Sequence, residues 1–213
     1  MGEAAAVERV VFDLGGVFFR WEPLLLLQEV FPTEAPNVAR AAELAQAIFQ
    51  TFDPDSDWAL FDLGQIEPRP LARRIAQRTG LKVADLLALM DAIPPHMTVH
   101  SGTVDILLAL QQRGWPLYFL SNMPEGYAQM LETQHGFFSA FHDGIFSARV
   151  GQIKPDAAIF ATADNRFNAA GAGTLFIDDV ARNIEAAERH GWQGLRFQHP
   201  AQCQQALATR GLL

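Results

Sequence analysis

The chain has 213 residues, 49% of them hydrophobic and 19% charged, with a formal net charge of −8, a globular composition long enough for one full core and an insertion. The acidic balance and the lack of any Lys/Arg cluster argue against nucleic acid or an anionic lipid surface as partner, and no apolar run is long enough to span a bilayer. The start, MGEAAAVERV, carries acids where a secretory signal carries basic residues, and Cys203 is the single cysteine, so the expectation is a cytoplasmic chain with no internal disulfide, no membrane partner and, by default, a monomeric state.

In chain order, residues 9–12 read as a short apolar strand buried on both faces, followed directly by Asp13 and the pair Gly15-Gly16. Residues 18–97 show no convincing strand. Val38, Ala41, Ala42, Ala45, Ile48 and Phe49 trace a helical stripe there, RPLARRIAQRTGL and VADLLALMDAI add two more helices, and Pro94-Pro95 is expected to close the insertion. A helix is expected from Ser101, which can cap it, to Arg113, with Gly114 as its stop. Residues 116–120 (PLYFL) form a second buried strand, and Ser121-Asn122 then lead into a helix that Pro124 can open. Lys154-Pro155 reads as another helix start, and residues 174–177 (TLFI) as a further buried strand ending in Asp178-Asp179. A helix over 180–190, with Val180, Ile184 and Ala187 on its apolar face, stops at Gly191. Strands buried on both faces and separated by helices imply an α/β fold, a doubly wound and mostly parallel sheet. The expected division is a core of residues 1–17 and 98–213 and a helical cap of residues 18–97, lying over the carboxyl ends of the strands where such sheets bind ligands.

Four places along this chain could carry chemistry, and each has a purely structural alternative. Asp13 could accept backbone N–H bonds from its own turn. Ser121 and Asn122 could cap a helix or bind an anionic oxygen. Lys154 at a helix start would oppose the helix dipole by a few tenths to about 1 kcal/mol unless an anion sits beside it. Asp179 could be an N-cap, but Asp178 would then be unexplained. Paired acids at a strand end suit Mg²⁺, which takes one or two carboxylates and bridges to a substrate phosphate. All four places fall on one edge of one sheet.

In order, FDLGGV, LSN, IKPD and FIDD, with ARNIEAAERHGW after the last, resemble the motifs of the haloacid dehalogenase-like hydrolase superfamily, and its phosphatase branch in particular. The resemblance implies a Mg²⁺-dependent phosphatase acting on a small phosphorylated substrate. In it, Asp13 would be the nucleophile that takes up the phosphoryl group, and Ser121, Asn122 and Lys154 would hold the phosphate. Asp178 and Asp179 would bind Mg²⁺ with the Asp13 carboxylate and the Gly15 carbonyl. Most such phosphatases carry a second aspartate two residues after the first, as general acid and then base. Here that position is Gly15, and the missing acid–base help is worth about 10² to 10⁴ in rate. A similar group of sugar-phosphate phosphatases with a DLGNV motif also has glycine there, which implies a sugar phosphate as substrate. Glu22, His96 and His100 are the sequence's candidates to replace the acid. Two other readings stand beside this one. The dehalogenase branch also uses the aspartate and the lysine but lacks the paired terminal acids, and a catalytically weak binder would be consistent with Gly15.

Overall fold

The computed structural model describes residues 6–169 and 171–213; the acid-bearing start of the chain at residues 1–5 lies outside them. Five strands, β1 (Arg9–Phe12), β2 (Leu117–Ser121), β3 (Asp143–Phe146), β4 (Thr174–Asp178) and β5 (Gln193–Arg196), form one sheet in the order β3-β2-β1-β4-β5. Every neighbouring pair is parallel, with Val11 opposite Tyr118 on one side and Phe176 on the other.

Because successive strand residues face opposite ways, the apolar runs feed two cores. Val10, Phe12, Leu117, Phe119, Leu175 and Ile177 pack with α6 (Ser101–Gln112), α7 (Glu125–Gln134) and α11 (Pro200–Thr209). Val11, Leu120, Ile145 and Phe176 pack with α9 (Ala157–Phe167) and α10 (Ala181–His190). The expected doubly wound α/β sheet is therefore present, and it is parallel throughout. β3 and β5 are not legible as strands in the sequence, since DGIF and QGLR lack an apolar run. At Gly144 the reason is steric: a Cβ there would lie 2.0 Å from the Phe119 ring, so the sheet edge needs glycine where the strand pattern needs a side chain.

Between β1 and α6 the chain forms α1 (Pro23–Val30), α2 (Val38–Phe49), α3 (Asp57–Asp62), α4 (Pro68–Thr79) and α5 (Val83–His96). In the predicted α2 stripe, Ala41, Ile48 and Phe49 are buried, but Val38 at its first turn is exposed. Leu26, Leu27, Phe31, Ile48, Leu71 and Leu89 bury themselves in a cluster continuous with the first sheet core. The insertion leaves and returns through a short stem. Arg20 N–H donates to Thr98 O, and His100 N–H to Phe18 O, at 2.8 and 2.7 Å.

Two expected helix ends differ. Pro94 and Pro95 do not stop α5; they lie in its last turn. Pro94 lacks the N–H that would bond the Met90 carbonyl, and that carbonyl instead accepts from the Tyr127 hydroxyl of α7 at 2.8 Å. A missing helix bond thus becomes a tie between insertion and core. Ser101 is the first residue of α6 rather than its cap, a position held by His100. Among the described residues no helix is long and apolar enough to cross a membrane.

Candidate active site

β1 and β4 are neighbours at the centre of the sheet, where the chain order reverses, and such a switch point opens a crevice at the carboxyl ends. Asp13 follows β1 and Asp178 ends β4, so one register brings both carboxylates to that crevice. After Asp13 the chain turns tightly, Phe18 and Phe19 N–H both donating to Leu14 O. Gly16 adopts φ +73°, and a Cβ there would lie 2.3 Å from an Asp179 carboxylate oxygen. Glycine at 16 is what lets Asp179 reach the loop.

Lys154 joins the two acids. Its Nζ lies 2.9 Å from Asp13 Oδ1 and 2.7 Å from Asp178 Oδ2, with the residue only 3% exposed. It does not sit at a helix start as expected: α9 begins at Ala157 with Asp156 as its cap residue, so the carboxylates, not a helix dipole, determine its electrostatics. Burial alone would push the ammonium down, but Asp13 and Asp178 outweigh it and the net direction is up. The loop is fixed by Asn122, whose side chain accepts from Lys154 N–H at 2.8 Å and donates to Lys154 O at 2.9 Å. The Asn122 amide is thus engaged in aiming the lysine.

Asp178 is held from several sides. Oδ1 accepts from Val180 N–H at 2.7 Å, Oδ2 from Lys154, and both from Asn183 Nδ2 at 3.2 and 3.0 Å. Asp179 caps nothing, since Val180 holds the cap position of α10 and no side chain bonds the helix start. Burial raises the Asp13 carboxyl to about 7, Lys154 opposing and Asp178 and Asp179 adding to the rise. Burial, then Asp178, raises Asp179 to about 6. Asp13, Asp178 and Asp179 offer oxygens all within 4.8 Å of one another. Two buried acids and a half-buried third facing one ammonium leave negative charge uncompensated, and an all-oxygen donor set of this kind fits Mg²⁺.

Ser121, at the end of β2, is 1% exposed, and its hydroxyl has no hydrogen-bond partner among the described residues. It does not cap α7, whose start carries no side-chain bond. Buried hydroxyls ordinarily find partners, so this one fits an oxygen supplied from the crevice. The cavity in front of it, about 500 Å³, is lined by Asp13, Gly15, Ser121, Asn122, Lys154 and Asp179 from the sheet edge and by Trp21, Phe52, Trp58, Asp62, Ile93 and Met97 from the insertion and its linkers. Arg182 of α10 reaches across to the Phe52 carbonyl at 2.5 Å and to Asp53 Oδ1 at 3.3 Å, holding a stretch in which Gln50, Thr51 and Phe52 all have positive φ.

Glu22, His96 and His100 do not line this cavity. Glu22 and His100 face a neighbouring one that shares Trp21 and Asp179 with it, and His96 lies 3.8 Å from Glu29. Sequence reasoning misses Asn183, although it stands in the first turn after the paired acids, and Asp62, for which the sequence offers no signal.

The family model for haloacid dehalogenase-like hydrolases matches residues 7–191. The chain is 26% identical over 188 residues to the sesquiterpene phosphatase astK of Aspergillus oryzae, covering 88% of each. It is 28% identical over 158 residues to the validoxylamine A 7'-phosphate phosphatase of Streptomyces hygroscopicus subsp. limoneus, covering 70% of this chain and 72% of that one. Among solved structures, a HAD family enzyme of Bacteroides thetaiotaomicron in complex with magnesium and inorganic phosphate matches with TM-score 0.69 at 19% identity, over 91% of this chain and 96% of that one. An L-2-haloacid dehalogenase of Xanthobacter autotrophicus with chloropropionic acid covalently bound matches with TM-score 0.65 at 17% identity, over 97% and 84%. Those two likenesses carry the fold. With the family match spanning most of its length, the chain belongs to the haloacid dehalogenase-like hydrolases.

Proposed function

We propose that this hydrolase is a Mg²⁺-dependent phosphatase that cleaves a small phosphomonoester through a phosphoryl group carried on Asp13. The observation that carries the reading is the unpartnered, buried Ser121 hydroxyl in one cavity with the Asp13–Lys154 pair and the three-acid cluster. A tetrahedral, oxygen-rich dianion would satisfy both the hydroxyl and the ammonium. A metal held by Asp13, Asp178, Asp179 and the Gly15 carbonyl would add positive charge beside the phosphoryl oxygens.

The chain's own residues do the rest. Asp13 attacks phosphorus with one carboxylate oxygen; the new O–P bond forms as the ester P–O bond breaks, and water later attacks the same phosphorus and returns the carboxylate. Lys154, aimed by Asn122 and anchored on Asp178, draws Asp13 toward its ionised form against the effect of burial and neutralises the oxygens on which charge gathers. Asn183 and Val180 N–H hold Asp178 in place. The inserted helices act as the cap, excluding water and contacting the organic part of the substrate.

The sequence resemblance favours a sugar phosphate. The cavity wall adds Trp21, Phe52, Trp58, Ile93, Met97 and Met123, which supports an organic group with a broad apolar face, as in a sesquiterpenyl phosphate; a sugar would have to lay its apolar ring face on these side chains. The dehalogenase reading is less well supported, because it gives the Asp13–Asp178–Asp179 cluster nothing to hold.

The test is release of phosphate from p-nitrophenyl phosphate, whose leaving group needs little protonation. We expect Mg²⁺-dependent release by the wild type, abolished by a chelator, and a loss of roughly 10⁴-fold or more in Asp13→Asn. Equal rates for wild type and variant would contradict the assignment.

A further inference from the structure

Gly15 leaves the phosphatase reading without a proton donor for the departing oxygen, and the cavity supplies one from its other wall. Six titratable residues line it: Asp13, Asp62, Tyr127, Lys154, Asp179 and Arg182. Five are engaged. Asp13 and Lys154 bind each other, Asp179 belongs to the acid cluster, the Tyr127 hydroxyl donates to Met90 O, and Arg182 is held by Asp53 and the Phe52 carbonyl. Asp62 remains. Its carboxyl makes no hydrogen bond or ion pair among the described residues, although the residue is only 8% exposed.

We infer, resting on the phosphatase reading, that the Asp62 carboxyl of the insertion is the general acid that protonates the leaving oxygen, in place of the side chain absent at Gly15. In the first step its proton passes to the ester oxygen as the P–O bond to that oxygen breaks. In the second step the resulting carboxylate takes a proton from the water attacking phosphorus, which restores the acid.

The backbone is built to hold this group over the sheet edge. Asp62 is the last residue of α3, and its carbonyl accepts from the Ser147 hydroxyl at 2.5 Å. Ser147, itself fully buried at the start of α8 (Ser147–Val150), accepts in turn from Met123 N–H at 2.8 Å. Asp62 is thus tied to the segments that follow β2 and β3 and is not left to a mobile helix end. Burial pushes its carboxyl up to about 8, Lys154 working against the rise and Asp13 adding to it, so the group holds its proton at neutral pH as a general acid must. The Tyr127 hydroxyl, the remaining ionisable group near it, is itself pushed upward by burial and by Asp62.

The experiment compares Asp62→Asn with wild type on two esters, p-nitrophenyl phosphate and a simple alkyl phosphomonoester whose leaving group must be protonated. We expect kcat/KM to fall roughly 10²-fold on the alkyl ester and less than about tenfold on p-nitrophenyl phosphate. The alkaline limb of the alkyl-ester pH profile should vanish with the carboxyl. Gly15→Asp in the Asp62→Asn background should restore the alkyl-ester rate, since a Cβ at Gly15 meets nothing within 4 Å. Equal losses on the two esters, or no loss on either, would overturn the role of Asp62 alone. A wild type that releases no phosphate from p-nitrophenyl phosphate would overturn the phosphatase reading and this inference with it.

Discussion

The two walls of the cavity are organised by opposite rules. On the sheet side, Asp13 and Asp178 sit at or just past strand ends and are held there by a parallel register and by hydrogen bonds and ion pairs: Asp178 accepts from Lys154, Asn183 and Val180 N–H, and Asp13 pairs with Lys154. On the helical side, Asp62 has neighbours that fix its backbone but, among the described residues, none that bond its carboxyl. Hydrogen bonds and a nearby cation favour the charged form of a carboxylate, whereas burial without them favours the protonated form. In the proposed mechanism, that contrast corresponds to metal and phosphate chemistry on the sheet and proton transfer from the helices.

The sharpest way to break the contrast is to remove the cation that organises the sheet side. Lys154→Met would leave Asp13 and Asp178 buried without their partner, so we expect a loss of roughly 10³-fold in kcat/KM for p-nitrophenyl phosphate together with about 3 kcal/mol of stability in urea unfolding. A variant of near wild-type stability and activity would show that the acids do not depend on the lysine.

A smaller effect separates Asp62 from the paired acids. In the folded chain its carboxyl holds its proton up to a pH of about 8, while the unfolded chain releases it near a pH of about 4. Between those values the unfolded state binds fewer protons than the native one, so this group makes stability fall as pH rises. Asn at position 62 removes that slope. We expect the Tm of Asp62→Asn relative to wild type to climb with pH from about 5 to about 8, on the order of ten degrees across the range, and to level off above it. A pH-independent difference would mean that the Asp62 carboxyl ionises normally in the folded chain.

Legibility in the sequence divides along the same two walls. Residues 9–12 and 174–177 announce themselves as buried strands because both faces are covered, and a residue just past the end of such a strand must lie at the ligand edge. Asp13, Ser121 and Asp178 can therefore be placed from the amino-acid pattern alone. The lysine is visible but misplaced, because IKPD looks like a helix start, while the clamp from Asn122 that turns Lys154 inward joins residues 32 positions apart. Asp62 leaves no trace. It stands in a short helix, DWALFD, that looks like any other amphipathic piece, and only tertiary packing aims it at a site built from the other side of the molecule. Glu22, His96 and His100 have better chemistry on paper and are packed elsewhere.

In the proposed reaction, phosphorus becomes bonded to Asp13. Acid-quenching the wild type during turnover of p-nitrophenyl phosphate in Mg²⁺, with mass spectrometry of its peptides, tests that directly. We expect one phosphoryl group on the peptide that contains Asp13, absent from Asp13→Asn. Phosphate release with no phosphoryl group on that peptide, or with the group on another side chain, would contradict it.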